Sequence, residues 1–316
     1  MYFLHRFNGW KTWSVGLLAF VLLLGGCSSE GQSGGTANGK WKVTTTTGMV
    51  ADIVKQVGGD HVEVTQLMGS GVDPHLYKAS EGDIKRINDA DIIFYSGLHL
   101  EGKMVEIFEK IGAKKPVKAV TARLTKEQLL ADPAAPNSPD PHVWFDVSLW
   151  MKAVEQVRDD LAAFDPAHKD TYTVNAEKYL KELKALDEYA RNQLATIPKE
   201  RRVLVTAHDA FHYFGRAYDV EVMGLQGIST ASEYGLKDVQ GLVDTLVSRQ
   251  IKAVFVESSV PKRSIEAVVQ GAAAKNHTVI IGGELFSDAM GAPGTPEGTY
   301  IGMVKHNVDT IVKALQ

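Results

Sequence analysis

The sequence predicts an α/β protein of two lobes, each a mostly parallel sheet flanked by helices, joined by one long rigid helix. Three observations carry that prediction. Short β-rich runs alternate with stretches of helical period from Trp41 to the end of the chain, the signature of parallel strands covered on both faces. Roughly 275 residues follow the polar segment at the start, more than one hydrophobic core usually serves. Tyr172, Ala176, Tyr179, Leu180, Leu183, Leu186, Ala190 and Leu194 recur at helical spacing until Ile197-Pro198 stops them. At ~1.5 Å per residue that helix runs roughly 45 Å, long enough to be a spine between lobes.

Residues 1–26 have the order of an export signal: Arg6 and Lys11, an apolar run from Val15 to Leu24 too short for a permanent membrane span, then Gly25-Gly26. Leu24-Gly25-Gly26-Cys27 has the form of a bacterial lipobox, which makes Cys27 the lipidated first residue of a mature protein held at the extracytoplasmic face of the cell membrane. It is the only cysteine, so no internal disulfide is expected. Residues 27–40 are mostly Gly, Ser, Asn, Gln and Thr and form a flexible tether. Removing residues 1–26 takes Arg6 and Lys11 from 34 basic residues and leaves 32 against 38 acidic ones, net −6. That balance argues against a nucleic-acid partner.

The N-terminal lobe, residues 41–165, reads as strand 41–47, helix 48–57, strand 62–67, helix 80–90, strand 91–95, helix 102–110 and strand 117–120. Residues 122–141 hold four prolines, from Pro133 onward, and no apolar period, and are assigned to a surface loop. Trp144 and Phe145 are core or cleft-wall aromatics, and helix 149–164 closes the lobe. Asp165-Pro166 is expected to cap the linking helix, residues 166–197. The C-terminal lobe, residues 198–316, continues with strand 202–206, helix 209–218, strand 220–225, loop 226–234, helix 236–249, strand 253–256, helix 262–275, strand 278–281 and a final helix 300–315.

Asp-Pro-His occurs twice, at Asp73-Pro74-His75 and Asp140-Pro141-His142. Proline fixes its own φ and keeps the preceding residue out of the helical region, so each copy is a stiff bend that aims an imidazole; plain turn chemistry explains either copy alone equally well. His208 follows the strand at 202–206 and Asp288 follows that at 278–281, so both face the carboxyl ends of strands, where open parallel sheets bind ligands. His75, His142, His208 and Asp288 together suit Mn(II) or Zn(II) better than copper(I), which wants sulfur, or Ca²⁺ and Mg²⁺, which want oxygen. Ligating imidazoles must be neutral, so metal retention is expected to fall through and below pH ~6.5. Glu257 is placed to orient a ligating histidine, or to serve as an ordinary ion-pair partner. His99 has a minor claim on the cleft. His212, four residues after His208, lacks the glutamate of a His-Glu-x-x-His motif and is assigned to packing. His61, His168, His277 and His306 are expected on solvated turns and helix surfaces.

Gly71-Val72-Asp73-Pro74-His75-Leu76-Tyr77, Asp140-Pro141-His142-Val143-Trp144-Phe145, Val205-Thr206-Ala207-His208-Asp209-Ala210-Phe211 and Ser287-Asp288-Ala289-Met290-Gly291 together resemble the TroA-like, cluster A-I metal-binding lipoproteins of ABC importers. The resemblance runs over residues 41–316. With Ser96-Gly97-Leu98-His99-Leu100-Glu101 and Phe255-Val256-Glu257-Ser258-Ser259 it is closest to the manganese-binding lipoproteins of Bacillus-type bacteria. It implies ligation by His75, His142, His208 and Asp288, and a monomer that hands Mn(II) to an ABC permease and its ATPase rather than an enzyme. Many manganese binders of that family carry glutamate where this chain has His208, which keeps Zn(II) as the alternative cargo. Dedicated zinc members often carry a histidine-rich loop, and residues 122–141 hold no histidine. A metallohydrolase is the rival class, disfavoured because Asp288 closes the coordination and no nucleophile or base motif accompanies it. A surface adhesin is a third reading.

Overall fold

A computed structural model describes residues 39–316, so the export signal, Cys27 and all but the end of the tether lie outside the described residues. β1 (Trp41–Thr45), α1 (Gly48–Gly58), β2 (Val62–Gln66), α2 (Glu81–Asp89), β3 (Ile92–Tyr95), α3 (Val105–Gly112) and β4 (Val117–Ala119) form the first βα series. The strands pair in parallel in the order β2-β1-β3-β4, with Val43 level with Val64 and Ile92. Val43, Ile92, Ile93 and Phe94 are buried, as expected of parallel strands covered on both faces. α2 starts on a capping box in which Ser80 and Asp83 satisfy each other's backbone N–H.

Residues 122–141 are not wholly loop. Asp132 Oδ1 accepts the Ala134 N–H at 2.8 Å, and that turn closes a short antiparallel hairpin, β5 (Ala131–Asp132) with β6 (Ala135–Pro139). α4 (Val147–Phe164) begins where Asp146 accepts the N–H groups of Ser148 and Leu149. α5 (Lys169–Leu194) is the long helix, 26 residues, and starts three residues later than predicted. The reason is Asp165: its carboxylate makes no cap and instead accepts His168 Nδ1–H at 2.7 Å and the Tyr172 hydroxyl at 2.6 Å, which leaves residues 166–168 as a tight 3₁₀ turn.

β7 (Val203–His208), α6 (His212–Tyr218), β8 (Glu221–Gln226), α7 (Leu236–Ser248), β9 (Ala253–Glu257), α8 (Arg263–Ala274), β10 (Ile280–Leu285) and α9 (Tyr300–Leu315) complete the chain. β7 pairs in parallel with β8, β9 with β10, and β7 lies beside β9. The last strand lies further along than 278–281. A register shift between Ile281 and Gly283 carries it past the two glycines, and Gly283, at φ 152°, sits where a Cβ would fall 2.4 Å from Thr310 on α9.

α5 packs against α1 and α4, which precede it in the chain, and against α9, the last helix. Its buried face is Tyr172, Ala176, Tyr179, Leu183, Leu186, Ala190 and Leu194; Leu180 is half-buried against them. These residues belong to one apolar cluster that also contains Val43, Trp150, Phe255 and Val308. A buried leucine there contributes about 1.5–3 kcal/mol, so the helix is held along its length. Among the described residues no helix is long and apolar enough to cross a membrane.

Candidate metal centre

Four segments from four strand ends or turns deliver the predicted residues to one point. The first Asp-Pro-His turn follows β2 and brings His75. The second follows β6 and brings His142, whose ring is fully buried. His208 is the last residue of β7, and Asp288 lies three residues beyond β10. One ligand atom from each falls within 4.8 Å of all the others. His75 Nε2 is 3.3 Å from His142 Nε2 and 3.6 Å from Asp288 Oδ2; His142 Nε2 is 3.3 Å from Asp288 Oδ1 and His208 Nε2 is 3.3 Å from Asp288 Oδ2. A cation with bonds of ~2.1 Å in tetrahedral geometry separates its ligand atoms by about 3.4 Å, so the donor set has the size of a first-row divalent ion. His208 Nε2 and both oxygens of Asp288 are buried without a hydrogen-bond partner, the state expected of polar atoms whose partner is an ion.

The tautomers are fixed from behind. His142 Nδ1–H donates to Asp140 Oδ1 at 2.7 Å, and the same oxygen accepts the His142 backbone N–H at 2.9 Å. His208 Nδ1–H donates to Glu257 Oε2 at 2.6 Å, while Oε1 accepts the His208 backbone N–H at 2.8 Å. Each carboxylate holds a proton on Nδ1 and turns the Nε2 lone pair inward. Glu257 therefore orients a candidate ligand. Asp140 does so too, and the sequence reading missed it by treating both aspartates as turn formers. Asp73 differs: it accepts the His75 backbone N–H at 2.8 Å but turns its other oxygen to Thr230. Trp144 proves to be a brace, its indole N–H donating to Ser287 O at 3.1 Å while its own carbonyl accepts the Tyr300 hydroxyl at 2.6 Å. The segment bearing His142 is thereby pinned to the one bearing Asp288.

Charge in the centre follows from these neighbours. Burial alone would lower the His142 and His208 imidazoles; the carboxylates of Asp140, Glu257 and Asp288 overcome it, raising His142 to about 9 and His208 well above the usual imidazole range. No carboxylate stands behind the Nδ1 of His75, and burial, only partly offset by Asp288 at its Nε2, lowers the imidazole to about 4. Burial would raise Asp288, but the imidazoles of His208 and His142 hold it well below the usual carboxylate range. The centre is thus a buried carboxylate ringed by imidazoles, a donor set for which protons and a divalent cation compete.

The remaining histidines among the described residues stay outside. His99 is exposed. His212 is half-buried with Nδ1 3.4 Å from Asp140 Oδ2, so it backs the carboxylate that holds His142. His277 is buried rather than solvated: the turn at Asn276, φ 60°, folds its ring inward so that Nε2 lies 2.7 Å from Ile251 O. His61 and His168 stack on each other with centroids 3.8 Å apart, and His306 Nε2 lies 3.0 Å from Glu284 O.

The profile of the family described as "Zinc-uptake complex component A periplasmic" (ZnuA) matches residues 43–314. The chain is 53% identical to the manganese-binding lipoprotein MntA of Bacillus subtilis, over 95% of this chain and 99% of that protein. It is 48% identical to the zinc-binding protein TroA of Treponema pallidum, over 95% and 96% of the two chains. The solved structure of that periplasmic zinc-binding protein superposes with a TM-score of 0.85 at 49% identity, covering 87% of this chain and 99% of the other.

Proposed function

We propose a function from one premise: this chain belongs to the ZnuA family of metal-uptake components. It captures Mn(II) through His75, His142, His208 and Asp288 outside the cytoplasmic membrane and delivers the ion, as a monomer, to the permease and ATPase of an ABC importer. The observation that carries the reading is the meeting of four buried ligand atoms from four distant segments within 4.8 Å. Three imidazoles and one carboxylate bind either ion, and the divalent order favours Zn²⁺ over Mn²⁺ at almost any nitrogen and oxygen site. Affinity in a tube is therefore a poor guide to cargo. The Asp288 carboxylate accepts the harder Mn²⁺ and can offer its second oxygen, and a relative that shares 53% of its residues is named for manganese. Zinc is the second reading, supported by the 48% identical relative named for zinc.

Cys27 is the lipid anchor and residues 27–40 the tether. Residues 41–165 and 198–316 are the two lobes, joined through residues 166–197. The protein turns nothing over, because Asp288 occupies the position a hydrolytic zinc centre keeps open. A deletion strain tests the cargo: it should grow poorly when manganese is scarce, recover with added Mn²⁺ and take up less radioactive manganese. Normal manganese uptake together with a zinc-specific growth defect would reverse the assignment to zinc.

A further inference from the structure

Three of the candidate ligands are held by buried groups, and one is not. Asp140 holds His142, Glu257 holds His208, and the Trp144 indole holds the Asp288 segment, all fully or almost fully buried. His75 is the most accessible of the four, 6% exposed against 0–1% for the others. Its turn is fastened across the centre by a single side-chain bond, from Thr230 Oγ1 to Asp73 Oδ2 at 2.6 Å. We propose that this Asp73–Thr230 hydrogen bond is a clasp that sets how fast a bound divalent cation leaves, by tying the His75 turn to the loop that follows β8, the strand beside His208.

The connection can be followed atom by atom. Asp73 Oδ1 accepts the His75 backbone N–H at 2.8 Å while Oδ2 accepts the Thr230 hydroxyl, so one carboxylate joins a ligand's backbone to the other half of the chain. Pro74 between them allows little independent motion, so His75 moves when Asp73 moves. On the far side, Gln226 Nε2 donates to the carbonyls of Thr230 at 2.6 Å and Ser232 at 2.5 Å, which shapes the loop that presents the hydroxyl. Gln226 ends β8, level with His208 on β7. Gly71, at φ 72°, adds a close approach of the same turn to the far half, with its Cβ position 3.4 Å from Ser258 O. Ala231, Ser232 and Glu233 beside the clasp are exposed. Water can compete for a bond in that setting, so it opens more readily than the buried carboxylate–imidazole pairs, and the ion's way out is past His75.

The inference rests on the metal-site reading, and the test separates the two. The full-length chain and its Thr230→Val and Thr230→Ser variants are loaded with Mn²⁺ or Zn²⁺, and release into excess chelator is followed by stopped flow, with the capture rate and the metal-free melting temperature measured alongside. Losing a hydrogen bond to a charged group should speed release about tenfold or more in Thr230→Val. Thr230→Ser, which keeps the hydroxyl, should release at the wild-type rate, neither variant should slow capture appreciably, and the metal-free melting temperature shows that both remain folded. Thr230→Val releasing at the wild-type rate, or Thr230→Ser releasing as fast as Thr230→Val, would overturn the clasp alone. Failure of the wild-type chain to take up either ion would overturn the metal site and the clasp with it.

Discussion

Replacing Glu257 with glutamine changes one oxygen into an amide and leaves the shape nearly intact, yet it should weaken metal binding by about 10–100-fold, or ~1.4–2.8 kcal/mol. Both Glu257 oxygens are in use, one on His208 Nδ1 and one on the His208 backbone N–H, and the residue is 1% exposed. Glutamine has one acceptor for those two donors, so whichever way the amide turns, a buried N–H faces an NH₂ group. That unpaired donor costs about 1–3 kcal/mol of metal-free stability, which for a chain of this size lowers the melting temperature by roughly 2–4 °C per kcal/mol. A second consequence separates this account from simple loosening. The Glu257 and Asp288 carboxylates hold His208 well above the imidazole range, so a cation entering at neutral pH expels its proton. With glutamine at 257 that proton is held less firmly, and fewer protons should leave per ion bound. Calorimetry in buffers of different ionisation enthalpy reads affinity and proton release together. Wild-type affinity with wild-type proton release in Glu257→Gln would refute the claim that this carboxylate sets the basicity of His208.

Acidity acts over a window set higher than a free histidine would set it. With His142 raised to about 9 and His208 above the usual range, at least one proton must leave at pH 7 for an ion to enter, so affinity should fall steadily as pH drops from about 9, well before ~6.5; a dye-competition titration across pH 5–10 that is flat above ~6.5 would contradict this. His142→Ala should weaken binding severely, whereas changes at His61, His168 or His306 should leave it within about twofold, since surface changes away from a site cost little, and calorimetric titration checks both. Cys27→Ala should leave the protein without acyl chains and free of the membrane after a carbonate wash; a variant that still sediments with membranes would remove the lipid-anchor assignment.

The alternation of strands and helices, the long helix and the four candidate ligands could be read from the sequence because each has a local cause. Helical spacing from Tyr172 to Leu194 needs one apolar face, and Asp-Pro-His is a bend that chemistry makes stiff wherever it occurs. What the sequence could not contain is which side chain answers which. The two Asp-Pro-His turns are identical as written, yet Asp140 grips the ring of His142 while Asp73 grips only the His75 backbone and reaches to Thr230, 157 residues away. Local boundaries moved for the same reason: Asp165 gave up its cap to His168 and Tyr172, and His277 turned inward to Ile251. Residue type and spacing decide what a segment can do, because backbone preference and hydrophobic period act within a few residues. The pairing of a carboxylate with one imidazole rather than another, and hence which candidate ligand is held rigidly and which through a half-buried bond, is decided by atoms that only the folded chain brings within 3 Å of each other.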